Sequence, residues 1–279
     1  MKTILVPIQN IALMTSALEA AARLAQRTGA YIEGFPLRLG IPQYLVAELA
    51  TGIPLDSYHA KSQEELVEMH RLFEAFMLKH DIPPATAGSS RPCFGWLETA
   101  PEGEDFVGSY GRAFDVIVMP RSDVDAAGPH RRAIESALFE SGRPVLLVPL
   151  DPPSTIATNI VIHWNGSTEQ ARANAFAMPL LRLADRVTVL TVIGGQEVPG
   201  PSAAQIVQQL LYNDIAAKQL SIELEGRDTG EAVLDAARAQ GCDLLIKGAF
   251  TRNRLRQMIF GGATSYIMEH ADLSVLMAH

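Results

Sequence analysis

The sequence predicts an α/β fold made of two duplicated, doubly wound domains, each a five-stranded, mainly parallel sheet flanked by helices. Three observations predict it. First, the two halves repeat: Ile4 to Asn10 aligns with Ile160 to Gly166, Phe114 to Met119 with Cys242 to Lys247, and Glu140 to Leu147 with Glu269 to Leu276. The offset is roughly 130 to 155 residues, far above solenoid periods, and so marks a duplicated domain. Second, short apolar β-type runs alternate with helical stretches, and right-handed crossovers then give a parallel sheet with helices on its faces. Third, several runs are apolar on successive positions, as in Val187-Thr188-Val189-Leu190, which suits strands covered on both sides. Residues 1–150 form the first domain and 156–279 the second, joined by the proline-rich Asp151 to Thr155, which cannot continue a strand ladder.

In the first half the run from Ile4 opens the sheet, Phe114 to Met119 supplies an inner strand, and Val145 to Val148 the last one. Leu37 to Tyr58 is apolar and broken by Gly and Pro; it reads as a loop or lid on the core, with a pocket cover or contact surface as the functional alternative. Ser62 to Lys79 reads as a helix carrying Glu64, Glu65, Glu68 and Glu74. In the second half, strands are expected at Ile160–Trp164, Val187–Val192, Lys218–Leu224, Leu244–Lys247 and Ser274–Met277. Helices are expected at Thr168–Ala184, with Ser167 as N-cap, and at Ser202–Ala217, Thr229–Gln240 and Thr264–His270.

Composition narrows the function. A chain of 279 residues, 48% hydrophobic, holds about two domains with a sizeable core. A net charge of −8 argues against nonspecific nucleic-acid binding. Two cysteines, Cys93 and Cys242, make no disulfide framework or zinc site. No apolar run approaches the roughly 20 residues of a membrane span, and Met1 to Pro7 is too short for a signal peptide, so a cytoplasmic location is expected.

The segment from Gly248 to His279 carries the chemistry. A buried strand runs into Gly248-Ala249-Phe250-Thr251, and Gly261-Gly262-Ala263-Thr264 then opens a helix. A strand, a glycine-containing loop and a helix N-terminus together make an anion site, because backbone N–H groups converge where the helix carries partial positive charge. Lys247, Arg252, Arg254 and Arg256 add a basic cluster there. In open α/β sheets ligands sit at the carboxyl ends of strands where strand order reverses, which brings the end of Ile160–Trp164 toward the loop after Lys247.

On these residues the chain resembles the universal stress protein (UspA) family in its tandem two-domain form, with a Rossmann-like, adenine nucleotide alpha hydrolase-like fold. The family signature is Gly, two residues, Gly, nine residues, Gly, then Ser or Thr; Gly248 and Gly261 match it, and Asn165-Gly166-Ser167 resembles the turn after the family's first strand. The resemblance implies a non-catalytic stress-response or regulatory protein with a site for ATP or another adenine nucleotide, and magnesium with it, in the second domain. The implied cofactor-binding residues are His163, Trp164, Asn165, Gly248, Thr251, Arg252, Gly261, Gly262, Ala263 and Thr264. Asn165 stands where the family has Asp, Thr251 where it has Gly, and Gly262 where it has a hydroxyl residue. In the first half Pro120 removes an N–H, Gln9 replaces the Asp and Glu135 stands near the helix start, so no ATP site is expected there. The resemblance also implies pairing of Val145–Val148 with Val275–Met277, an intramolecular pseudo-dimer, with a homodimer and an unidentified protein partner as further expectations.

Two other functions stay open: a weak ATPase or nucleotidyl-transfer enzyme at the same loop, and a protein-interaction module with a vestigial site. His59, His70 and His80 lack metal-ligand spacing and read as a solvated helix face. Neither a GxSxG elbow nor a GxxxxGK[ST] loop is present.

Overall fold

The computed structural model describes residues 1–9, 11–38, 55–86, 88, 91–121, 129–151, 154–195, 197–250 and 262–279. The first half contains β1 (Thr3–Ile8), α1 (Ile11–Thr28), β2 (Tyr31–Pro36), α2 (Leu55–Lys79), β3 (Cys93–Trp96), α3 (Asp105–Gly111), β4 (Val116–Pro120), α4 (Pro129–Glu140) and β5 (Val145–Val148). The second contains β6 (Asn159–His163), α5 (Thr168–Leu181), β7 (Arg186–Ile193), α6 (Ala203–Leu211), β8 (Lys218–Glu223), α7 (Thr229–Ala239), β9 (Leu244–Gly248), α8 (Ala263–His270) and β10 (Ser274–Ala278).

The strands form one ten-stranded sheet in the order β3-β2-β1-β4-β5-β10-β9-β6-β7-β8. Within each half every pairing is parallel, and strand order reverses between β1 and β4 and between β6 and β9. The halves meet where β5 and β10 pair antiparallel, Leu147 against Val275, Leu146 against Leu276 and Val145 against Met277, the strands that the resemblance puts together. Helices cover both faces. One apolar cluster packs α1, α2, α5 and α6 on the sheet through Leu18, Phe73, Ala177 and Leu210. The other packs α3, α4, α7 and α8 through Val107, Leu138, Val233 and Ile267. Both sheet faces are therefore dry, which is why β1, β4, β5, β6, β9 and β10 are apolar on nearly every position.

Local chemistry sets the element ends. The hydroxyl of Ser167 accepts from Gln170 N at 3.1 Å to start α5, and Ser202 with Gln205 forms a reciprocal capping box on α6. The expected helix Ser202–Ala217 stops at Leu211. Asp214 there takes a left-handed φ of 61°, and Asp214 N and Ile215 N return to the carbonyls of Leu211 and Leu210 at 3.0 Å each, a terminating motif usually built on Gly. Asp81 ends α2 the same way, at φ 57°. The Thr168–Ala184 helix likewise stops at Leu181. Residues 152 and 153 of the joint and most of the Leu37–Tyr58 run lie outside the described residues.

One carboxylate pins the first strand of each half. Asp243, 4% exposed, accepts from Thr158 N at 3.0 Å, from Asn159 N at 2.9 Å and from the Thr158 hydroxyl. Asp115, its counterpart in the repeat, accepts from Lys2 N and from Thr3 N at 3.2 Å. Partial burial alone would raise the Asp115 carboxyl; these N–H bonds, the N-terminal ammonium and Arg143 outweigh it and hold the group below the usual carboxylate range. Asp243→Ala strands two N–H groups next to the buried end of β6, and should cost about 2–3 kcal/mol of unfolding free energy in urea titration. A loss below about 0.5 kcal/mol would show that water satisfies those groups equally well.

Candidate functional site

The ends of β6 and β9 lie side by side, and their register places His163 next to Lys247 on the face that packs against α7 and α8. Both are buried, 3% and 4% exposed. The ammonium of Lys247 donates to the carbonyl of Gly248 at 3.0 Å and to the Thr264 hydroxyl at 3.2 Å, in the first turn of α8. A cation, a hydroxyl and a helix N-terminus thus converge at the carboxyl ends of the strands where their order reverses. Burial, helped by the charge of Lys247, pushes the His163 imidazole down from 6.5 to about 3. The ring is neutral at physiological pH, and its buried Nδ1 has no hydrogen-bond partner among the described residues.

The glycines serve distinct needs. A Cβ on Gly248 would lie 2.4 Å from Gln170 N and 2.7 Å from the Glu169 carbonyl carbon, so this glycine is set by contact with the start of α5. Gly248 N donates to the Gln170 side chain at 2.7 Å, which ties strand and helix together. Gly262 caps α8 at φ 104°, ψ −174°, a conformation open essentially to glycine. The hydroxyl that the family places here would have to be carried on a backbone that excludes a side chain, and Thr264 presents its hydroxyl to Lys247 instead.

Of the other residues expected at the site, Trp164 is 5% exposed and belongs to the opposite face, where its indole N–H donates to the Pro201 carbonyl at 2.7 Å. Asn165 Oδ1 accepts from Ser167 N at 3.2 Å and its carbonyl from Val198 N at 2.9 Å, so it shapes the turn into α5. Ala263 is the first residue of α8 and is buried. Thr251, Arg252 and Gly261 lie outside the described residues, as do Arg254 and Arg256. The structure therefore brings together His163, Lys247, Gly248, Gly262 and Thr264. Lys247 was not among the residues carried over from the family; its signal was a lysine ending an otherwise apolar strand.

The matching crevice of the first half is filled by its own chain. The His130 ring bonds the Pro120 carbonyl at 2.8 Å through Nε2 and approaches Gln9 Oε1 at 3.3 Å through Nδ1. It spans the positions that correspond to Gly248 and Asn165. The helix that follows opens at Pro129, so Glu135 lies in its second turn and not at the helix start. Elsewhere, His70 is no plain solvated side chain: it stacks on Trp96 and pairs with Glu98 at 3.1 Å. Among the described residues, no group of three or more His, Cys, Asp or Glu is placed to hold a metal, and no helix is long and apolar enough to cross a membrane.

Residues 157–279 match the model of the Universal stress protein family. That match covers the second half of the chain, the half that holds the glycine-opened helix. Over the whole chain the fold is similar to that of a universal stress protein from Archaeoglobus fulgidus DSM 4304, at TM-score 0.71 and 13% identity, covering 99% of this chain and 97% of that one. It is also similar to a functionally unknown protein from Pseudomonas aeruginosa PAO1, at TM-score 0.54 and 13% identity, covering 99% and 92%. No curated protein matches the sequence.

Two outcomes follow. The folded-state pKa of His163 lies below the unfolded value of about 6.5, so its contribution is intact above that pH. Stability should then fall on acidification toward pH 3, by up to about 1.36 kcal/mol per pH unit. The difference between wild type and His163→Leu in urea unfolding should show that slope, and a flat difference from pH 7 to 4 would contradict it. Gly262→Ala, forced into a strained φ, should lose about 1–3 kcal/mol in the same assay, more than Ala263→Gly.

Proposed function

We propose that the chain is a regulatory stress-response protein whose second domain, 156–279, binds the phosphates of an adenine nucleotide between the ends of β6 and β9 and the start of α8. The first domain, 1–150, serves as its structural partner in an intramolecular pseudo-dimer. Lys247 carries the reading: a buried ammonium next to Thr264 at the head of a glycine-opened helix is a setting for an anion. A phosphate there would draw on the Lys247 ammonium, the Thr264 hydroxyl and the first N–H groups of α8. The unpartnered Nδ1 of His163 fits the same group as a second polar contact. Magnesium would arrive with the nucleotide and neutralise phosphate charge. What these residues supply is charge and hydrogen bonds for holding a ligand, which favours binding over turnover.

Calorimetry with ATP, ADP and adenosine tests this. ATP should bind the second domain more tightly than adenosine, and Lys247→Met should weaken ATP about tenfold or more, since a charge-assisted contact contributes about 1.5–3 kcal/mol. Absence of heat at millimolar ATP, or equal binding by the Met variant, would exclude the site. Phosphate release with magnesium above background would move the reading to the weak ATPase.

A further inference from the structure

The first half holds a cleft of about 480 Å³ between α2 and the carboxyl ends of β2 and β3, away from the crevice that His130 fills. The volume lies within the roughly 300–1,000 Å³ of small-molecule sites. Arg38, Val67, His70, Trp96, Glu98 and Pro101 line it. Its walls are held in place. Trp96 lies flat on the His70 ring, with centroids 4.9 Å apart and planes at 2°, and tilts against Phe73 behind at 5.2 Å. A Cβ at Gly34 would come within 2.8 Å of the Phe73 ring and 3.0 Å of Trp96, so this glycine makes the seat for both rings. Arg38 is fixed through its carbonyl, which accepts from Gly103 N at 2.8 Å, and through its side chain, which donates to the Ala100 carbonyl.

The lining states what would fit. Val67, 61% exposed, gives the cleft an apolar surface, and the Trp96 indole lines the same cleft. At the rim the Arg38 guanidinium already faces a carboxylate, Glu102, across 3.7 Å, and that carboxylate is 58% exposed. Such a pair is weak and exchangeable. A guanidinium is a planar fork matched to carboxylates, and a better-desolvated carboxylate would replace Glu102. Glu98, the acid on the same wall, is engaged by His70 Nδ1 at 3.1 Å.

We infer that this cleft is a binding site for a small planar aromatic carboxylate, its ring against Trp96 and Val67 and its carboxylate on Arg38. The site is separate from the nucleotide reading and stands in the other half of the chain. The probe is 2-naphthoate, titrated into the full chain by calorimetry and tryptophan fluorescence, with 2-naphthalenemethanol as uncharged control. One site is expected, with quenching that Trp96→Phe removes, since the other tryptophan, Trp164, is buried elsewhere. Arg38→Met should weaken 2-naphthoate about tenfold or more and leave the alcohol unchanged, as loss of a charge-assisted pair requires. Val67→Trp, on an exposed position, should block both ligands without moving the melting temperature, and ATP should displace neither. No binding at millimolar 2-naphthoate, equal affinity for acid and alcohol, unaltered binding in the Val67→Trp protein, or displacement by ATP would each overturn the assignment.

Discussion

Each half-sheet ends on a strand whose outer N–H and C=O groups have no partner within that half, and β5 and β10 supply each other's. The two strands are fully buried and, Ser274 aside, apolar, so leaving either open would expose a flat hydrophobic edge, the feature that drives aggregation in β-proteins. Their register leaves no polar residue on the seam: Val145, Leu146 and Leu147 meet Met277, Leu276 and Val275. Helix packing follows from this join. With one continuous sheet, α4 and α8 come together across the seam, where Arg131 lies 3.7 Å from Glu269 and Phe139 packs on Phe250 and His279. The sheet's free edges are displaced to β3 and β8, and β8 answers with charged and polar residues on its exposed positions.

The site then depends on how each half ends its first and fourth strands. In the second half, Gly248 lets β9 touch α5, and Gln170 fastens them, leaving Lys247 and His163 to face α8. In the first half the corresponding backbone carries Pro120 instead, and His130 closes the gap. The equivalent strand ends of the two halves are therefore built differently. The first half still supplies β5 to the seam, and its core is buried like that of the second.

Much of this was legible in the sequence, and for physical reasons. Strands buried on both faces read as unbroken apolar runs, so β6, β9 and β10 lie within a residue of their expected ends. Helix starts read well because Ser167 and Ser202 cap through local contacts. The end of the Ser202–Ala217 helix read less well, because Asp214 takes the left-handed conformation that glycine usually signals. At the site, the glycines were found but their reasons were not, because the pressure on Gly248 comes from α5, far away in sequence. His130 on Gln9 joins residues 121 apart, and the Trp164 turn to Pro201 is likewise a contact no spacing reveals. The Arg38 and Trp96 cleft combines β2, β3 and α2 and carries no motif at all.

The seam has one more consequence. Strands within a half run parallel, but β5 and β10 run in opposite senses, so the whole first half points against the second. The carboxyl rim of one half-sheet therefore lies along the amino rim of the other. The ends of β6 and β9 and the cleft at β2 and β3 therefore face opposite sides of the molecule. A large partner approaching from one side would cover one of the two proposed sites and leave the other facing solvent.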